Sequence, residues 1–273
     1  MVQIKIRVLS VLGHLHGLII DGLNRILPIM KLRLVPSWHE WRTWTRQRSD
    51  VLNNLNISLA LDVGALRGEW FREFRKDGFN CPVWSFECDP RALEILNLLD
   101  HESLNWKIFP FALSDRSGCS EFFQWPIDTG QSSLLRTAPD NPYSTMLSAD
   151  VVPKLVSVPM KRLDEVINSE LLSMNRTLLK IDVQGAELDV LKGCGELLKQ
   201  FYAIEVEVSL VKFYENSECL IESVITFLRN AGFEPLTIQT ERFGGNNGTI
   251  AGGLDCDLLA VRRDLITKNM TDI

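Results

Sequence analysis

Hydrophobic and polar positions follow two alternating periodicities along most of the chain, which predicts strands interleaved with helices. Short apolar runs bounded by turn signals fit buried strands at Leu59–Val63, Pro82–Glu87, Trp106–Phe111, Leu178–Val183 and Phe201–Val208. Continuous apolar runs are typical of strands buried on both faces of a parallel sheet. Apolar residues between them recur at helical spacing, as at Trp70, Phe71 and Phe74. From Ser58 onwards the pattern therefore predicts an α/β fold.

Less regular segments follow the third predicted strand. We predict further strands at Glu121–Trp125, Leu155–Met160, Leu236–Thr240 and Asp257–Arg262. We predict helices at Leu163–Ile167 and Ala186–Leu198. The stretch Thr129–Asp150 contains glycine and prolines and lacks a period. A loop of this length in a compact domain is usually functional or mobile, so it either covers an acceptor pocket or is a poorly ordered connection.

The first fifty residues differ from the rest. Ile4–Met30 is rich in aliphatic residues at helical spacing but carries several charges, and Pro28 and Pro36 follow. The segment is a poor membrane span, so we predict an amphipathic helix that packs on protein. Peripheral membrane contact is the alternative. The predicted organisation is an N-terminal helical extension, 1–50, and one domain, 51–273.

Composition narrows the choice of partners and compartment. The net charge of −6 argues against a nucleic-acid surface, which is usually basic. The six cysteines form no CxxC pair and no metal-ligand spacing, which indicates a reducing, cytoplasmic protein without a disulfide framework. The sequence does not determine the oligomeric state.

Two predicted strands end in carboxylates, each followed by a helix start. The first strand ends at Asp62, with a turn at Gly64 and a helix start near Gly68. The second ends at Glu87. The carboxyl ends of parallel strands lie at the same edge of a sheet, so this arrangement predicts a nucleotide-type site there.

The turn residues favour a cationic ligand over a pyrophosphate. Where a dinucleotide fingerprint needs glycine, this turn has Leu66 and Glu69. S-adenosylmethionine carries a sulfonium, an ammonium group and a ribose diol but no phosphate. We therefore expect Asp62 to bind its cationic amino-acid end and Glu87 its ribose hydroxyls.

Several ordered segments resemble the FkbM-type S-adenosylmethionine-dependent methyltransferases. They are residues 61–65 with Gly68, 86–90, 112–115 with Gly118, 131–134, 162–164, and 180–187 with 191–193. The resemblance implies a Rossmann-like class I methyltransferase fold: a seven-stranded, mainly parallel sheet with helices on both faces and an antiparallel last strand. It also implies O-methylation, often of sugars or polyketide-type products.

The same segments identify the residues expected to bind the cofactor and two positions at which this chain departs from the usual family sequence. The predicted cofactor-binding residues are Asp62, Gly64, Ala65, Gly68, Glu87, Cys88, Ala112 and Asp182. The family usually has Asn where this chain has Leu66, and Pro where it has Cys88. We expect Leu66 to lower cofactor affinity, unless a neighbouring group substitutes, and Cys88 to change only backbone geometry.

Carboxylates at a second pair of strand ends are the candidates for catalysis. Asp182 ends a buried strand, and Glu207 lies toward the end of the next one. Either can act as a general base, or both can hold a magnesium-class cation that binds the acceptor oxygen. We expect Glu187 to cap or pair at a helix start and Glu205 to form a salt bridge.

The function predicted from the sequence is S-adenosylmethionine-dependent O-methylation of a hydroxyl on a sugar, glycan or other small molecule. Two alternatives stay open. One is a nicotinamide-dependent oxidoreductase, against which Leu66 and Glu69 speak. The other is a non-catalytic Rossmann-like module whose N-terminal helix recruits partners.

Overall fold

A computed structural model describes residues 43–99, 104–127, 130–139, 151–240 and 254–266, together with two short strands at 2–4 and 32–34. The chain forms two compact units, Met1–Val51 and Leu52–Ile273. In the first unit, β1 (Val2–Ile4) pairs in parallel with β2 (Leu32–Leu34). Helix α1 (Trp44–Asn54) crosses the boundary. Most of the predicted N-terminal amphipathic helix lies outside the described residues.

The second unit alternates strands and helices. Its strands are β3 (Leu59–Val63), β4 (Val83–Phe86), β5 (Trp106–Phe109), β6 (Ala112–Leu113), β7 (Gly118–Gln124), β8 (Lys154–Lys161), β9 (Thr177–Ile181), β10 (Ala203–Ser209), β11 (Phe233–Thr240) and β12 (Asp255–Arg262). Its helices are α2 (Glu69–Lys76), α3 (Pro90–Leu96), α4 (Leu163–Val166), α5 (Ser169–Ser173), α6 (Glu187–Gly193) and α7 (Ile221–Asn230), with 3₁₀ helices at Gly195–Gln200 and Arg263–Leu265.

A seven-stranded sheet in the order β11-β12-β10-β9-β3-β4-β5 forms the centre of this unit. Only β12 runs antiparallel to its neighbours, which confirms the predicted mainly parallel sheet with an antiparallel last strand. The chain proceeds outward from β3 through β4 to β5 and then returns to β9 on the other side of β3. The strand order reverses between β3 and β9, where ligands of such sheets bind.

The strands beside this switch point are the most deeply buried. Every residue of β3 and β9 is buried, as expected for apolar strands covered on both faces. Their register places Asp62 opposite Lys180, so a cation and an anion face each other within an apolar layer. Among the described helices, none combines the length and apolar character needed to cross a membrane.

A small second sheet, β6-β8-β7, lies between β5 and β9 in the sequence. Its strands at 118–124 and 154–161 correspond to two predicted strands, which pair with each other in antiparallel fashion. An isolated bridge joins Phe123 of β7 to Ser133, so part of the irregular 129–150 segment is attached to this small sheet.

The predicted long helix at 186–198 is instead two shorter ones. Helix α6 ends at Gly193, and a 3₁₀ helix begins at Gly195, whose φ is +51°. A Cβ atom on Gly193 would lie 2.0 Å from the Ser114 carbonyl oxygen, so this turn sits directly against the chain after β6.

Candidate active site

The turn after β3 approaches the end of β9 closely. Gly64 has a φ of +81°, and a Cβ atom there would lie only 1.8 Å from the Asp182 carbonyl oxygen. Its backbone N–H donates to the Phe86 carbonyl at 3.0 Å. Gly64 therefore lets three neighbouring strand ends converge, which no side chain at that position would allow.

Glu87, directly after β4, presents a fixed carboxylate at this edge. It accepts hydrogen bonds from the backbone N–H groups of Leu66, Cys88 and Asp89, each at 2.7 Å. Burial raises the pKa of Glu87 to about 7, although these three donors favour the charged form. A carboxylate fixed at a cavity wall, with an acceptor position left beside these three donors, is suited to bind a ribose hydroxyl.

Asp62 has a different environment from the one expected. It is completely buried, accepts from the Ser85 hydroxyl at 2.8 Å, and pairs with Lys180 at 3.2 Å. Burial raises its pKa, although Lys180 and Ser85 oppose this effect. The structure therefore places Asp62 behind the cavity wall, where it compensates Lys180, and a direct contact with the cofactor does not fit this position.

Lys180 connects the buried acid to the exposed edge. Its ammonium lies 3.2 Å from the Gly64 carbonyl oxygen and 3.6 Å from Asp182 Oδ2. Burial lowers the pKa of Lys180, but the carboxylates of Asp62 and Asp182 outweigh this and raise it overall. This lysine stays charged and ties the glycine turn to the end of β9.

A cavity of about 530 Å³ opens at the switch point. Six of the predicted site residues line it: Gly64, Glu87, Cys88, Ala112, Asp182 and Glu207. Ala65 and Gly68 are not among the lining residues, and both support the turn. The Ala65 N–H donates to Phe86 at 3.3 Å, and Gly68 lies against the Trp106 ring, which leaves no room for a Cβ atom.

The polar end of the cavity joins two carboxylates through one amide. Gln184 Nε2 donates to Asp182 Oδ1 at 3.1 Å and to Glu207 Oε2 at 2.7 Å. The Tyr214 hydroxyl donates to Gln184 Oε1 at 2.9 Å. Burial raises the pKa of Glu207 well above its ordinary value, and the nearby acids Asp182, Glu187, Asp255 and Asp257 add to the effect.

Sequence reasoning missed several residues of the wall: Phe122, Gln184, Ser209, Phe213, Tyr214 and Asp255. Gln184 stands within the 180–187 segment, so that segment was the available signal. Tyr214 lies between β10 and α7 without periodicity. From the irregular 129–150 segment, Gly130, Gln131, Ser132 and Leu134 line the cavity, while 140–150 lie outside the described residues.

The two acids assigned structural roles are held by different partners. Glu187 accepts from the backbone N–H groups of Val183 and Gly185 at 3.1 and 2.9 Å, which confirms a capping role at the start of α6. Glu205 accepts a hydrogen bond from the Trp70 indole at 2.8 Å and does not line the cavity. Within the described ranges, no group of three or more His, Cys, Asp or Glu is placed to hold a metal ion.

The sheet order and the acidic strand ends define a class I, Rossmann-like methyltransferase fold. The sequence profile described as Methyltransferase FkbM domain matches residues 62–235, and the chain belongs to this family of methyltransferases. The general activity of the chain is therefore S-adenosylmethionine-dependent methyl transfer. The cavity fits that cofactor, because Glu87 is fixed at the wall among apolar Phe86, Ala112 and Leu113.

The solved structures to which the chain is similar are distant in sequence. A candidate RNA methyltransferase from Pyrococcus horikoshii has 9% identity, covering 80% of this chain and 82% of its own, with a TM-score of 0.41. The precorrin-6y C5,15-methyltransferase of Geobacter metallireducens has 9% identity, coverage of 78% and 86%, and a TM-score of 0.37. An rRNA methylase of Streptococcus thermophilus has 10% identity, coverage of 79% and 94%, and a TM-score of 0.40. No curated protein matches the sequence.

Proposed function

We propose that this chain methylates a hydroxyl group on a sugar, glycan or other small molecule. The observation that carries the proposal is Glu207, whose carboxyl group lines the cavity and has a raised pKa. An alcohol acceptor must lose its proton as its oxygen forms the new bond, and a carboxylate whose pKa is raised is the stronger base for that proton.

The chain's own residues supply proton transfer and alignment. When bound, S-adenosylmethionine supplies an electrophilic methyl group on a sulfonium, which becomes a neutral thioether after transfer. Glu207 accepts the proton of the acceptor hydroxyl, and Asp182 accepts a hydrogen bond from the acceptor. Glu87 holds the ribose. Alignment of the reacting atoms is the main requirement of such a displacement.

The charges at the cavity support an uncharged or cationic acceptor. The charged side chains that line it, among the described residues, are all acidic: Glu87, Asp89, Asp182, Glu207 and Asp255. A polyanion such as nucleic acid or a phosphorylated sugar meets repulsion here, and the net charge of −6 adds to that repulsion.

The position of the Gln184 amide favours a general base over a bridging cation. Its NH₂ group donates to both Asp182 and Glu207, and so occupies the place between these carboxylates that a shared cation would take. We therefore propose metal-independent transfer. Turnover that persists unchanged in EDTA supports this, and activity restored only by Mg²⁺ contradicts it.

The test is a screen with radiolabelled S-adenosylmethionine and a panel of neutral methyl glycosides, amino sugars and simple polyols. We expect label in at least one hydroxyl compound, with the position assigned by mass spectrometry. In Glu207→Gln, transfer should fall by about 100-fold or more, because the general base is lost. The binding of S-adenosylmethionine by calorimetry should be retained.

Glu205→Gln is the matched control. This residue lies two positions earlier in β10, is buried, and its carboxyl oxygen accepts from Trp70, which an amide oxygen can also do. Transfer by Glu205→Gln should equal that of the unaltered chain. Equal activity in Glu207→Gln, or methylation confined to nitrogen or carbon acceptors, would overturn the proposal.

A further inference from the structure

Tyr214 is held firmly beside the cavity. Its side chain is 6% exposed, and a Cβ atom on Gly185 would lie 2.4 Å from its ring, so the ring packs directly on that backbone. A bridge pairs Thr137 with Tyr214. This bridge consists of two backbone hydrogen bonds, from the Ala138 N–H to the Phe213 carbonyl at 2.8 Å and from the Glu215 N–H to the Arg136 carbonyl at 2.7 Å, which anchor the segment.

Gln184 is held from both its backbone and its side chain. Its φ of +58° is in the left-handed region, which is unfavourable for a residue with a side chain. Its carbonyl oxygen accepts from the Ser133 hydroxyl at 2.6 Å. Ser133, in the loop that lines the cavity, therefore holds the strained backbone of Gln184, and the Gln184 side chain reaches Asp182 and Glu207.

The hydrogen-bond pattern assigns each atom of the amide a separate partner. Tyr214 donates to the oxygen, so the nitrogen is free to donate to Asp182 and Glu207. Only Glu207 Oε2 is engaged in this way. Within the described residues, Glu207 Oε1 has no hydrogen-bond partner, which leaves that oxygen for an acceptor hydroxyl.

We propose that Tyr214 and Gln184 are positioning residues, through which the loop at 130–139 holds the Glu207 carboxyl group with one oxygen engaged and the other available to the acceptor. This inference rests on the proposed role of Glu207 as general base. Neither residue takes up the proton itself. Loss of the tyrosine hydroxyl leaves the half-buried Gln184 oxygen without this donor, so the amide is free to turn and Glu207 loses its fixed position.

The first test observes the amide directly in the full chain. With ¹⁵N-glutamine labelling and saturating S-adenosylmethionine, the Gln184 side-chain NH₂ signal, assigned by its loss in Gln184→Met, should exchange slowly with water. In Tyr214→Phe, which keeps the ring, its exchange should accelerate about 10-fold or more. Tyr202→Phe is the matched control, since Tyr202 lies under the Arg262 guanidinium instead of at the cavity, and it should change nothing.

The second test uses the methyl glycoside that is turned over fastest in the screen. In Tyr214→Phe, kcat should fall about 10- to 100-fold, while the Kd of S-adenosylmethionine and the unfolding midpoint stay unchanged. In the Gln184→Met background, Tyr214→Phe should cause no further loss, because the tyrosine acts through the amide.

The outcomes separate this inference from the proposed function. Unchanged amide exchange in Tyr214→Phe, or losses that add fully in the double variant, would overturn the positioning role even if Glu207→Gln is inactive. A chain that methylates no hydroxyl compound defeats the proposed function, and the amide exchange still decides the geometry. An equal loss of cofactor binding in Tyr214→Phe shows a merely structural role and also contradicts the inference.

Discussion

Two opposing effects act on the pKa of the Glu87 carboxyl group. Burial raises this pKa and three backbone N–H donors lower it, so the group changes charge near neutral pH. Its side chain is almost fully buried, and burial raises its pKa to about 7. The ionised form of this carboxyl group is the stronger hydrogen-bond acceptor for the ribose hydroxyls. Cofactor affinity should therefore depend on pH in the range in which most proteins are assayed.

We expect S-adenosylmethionine to bind about tenfold more weakly at pH 6 than at pH 8, because most Glu87 carboxyl groups are neutral below pH 7. Calorimetry at both pH values measures this. In Glu87→Gln, binding should be weak at both pH values and this difference should disappear. If the variant keeps the full pH dependence, another group causes it.

For single residues, the sequence identified Asp62 and Glu87 as acids at strand ends, but it did not show which of the two side chains reaches the cavity. Asp62 and Glu87 both follow apolar runs, so both were expected at the cofactor. The difference arises from Lys180, which the register of β3 and β9 places opposite Asp62. A buried lysine needs a buried carboxylate, and this requirement becomes visible only once the strands are paired.

At the scale of elements, the contact between the turn after β3 and the end of β9 requires a glycine at position 64. Gly64→Ala places a methyl group 1.8 Å from the Asp182 carbonyl oxygen and adds left-handed strain. We expect a loss of at least about 3 kcal/mol in the free energy of unfolding, with loss of cofactor binding. Chemical denaturation measures the stability.

Gly78→Ala provides the matched control for strain alone. Gly78 has a φ of +97°, also left-handed, but nothing lies within 4 Å of the Cβ position. Its substitution should cost about 1–2 kcal/mol and leave cofactor binding intact. Similar losses in both variants would show that backbone strain, not the approach of β9, explains the effect of Gly64→Ala.

The elements that the sequence predicted well share a physical reason. Strands β3 and β9 are mostly apolar over five residues, each with one charged residue, Asp62 or Lys180, and burial on both faces produces that pattern. The pairing of β7 with β8 across about thirty intervening residues leaves no local signal, so the small sheet was not foreseen. The break at Gly193–Gly195 depends on contact with Ser114, which local propensity does not contain.

For the whole molecule, the reversal of strand order explains why the site residues are scattered along the chain. Glu87 follows β4 on one side of β3, while Asp182 follows β9 and Glu207 lies in β10 on the other side. The alternating pattern was sufficient to predict the fold class and this edge of the sheet. It could not show that Gln184 and Tyr214 join the carboxylates, since that requires loop positions.

The cavity and the family match both lie within the second unit. The lining residues run from Val63 to Asp255, and the profile begins at residue 62. We therefore expect a chain that begins at residue 43, with α1 intact, to bind S-adenosylmethionine with the affinity of the full chain.

Calorimetry on the shortened and full chains measures that affinity, and thermal unfolding of both reports on the fold of the shortened one. The design distinguishes two roles for the N-terminal segment. Unchanged cofactor affinity together with a loss of sedimentation with anionic vesicles assigns the segment to peripheral membrane contact, since such binding depends on its apolar and charged positions. A weaker cofactor affinity in a shortened chain that unfolds at the same temperature contradicts the prediction, because it shows that the segment completes the site.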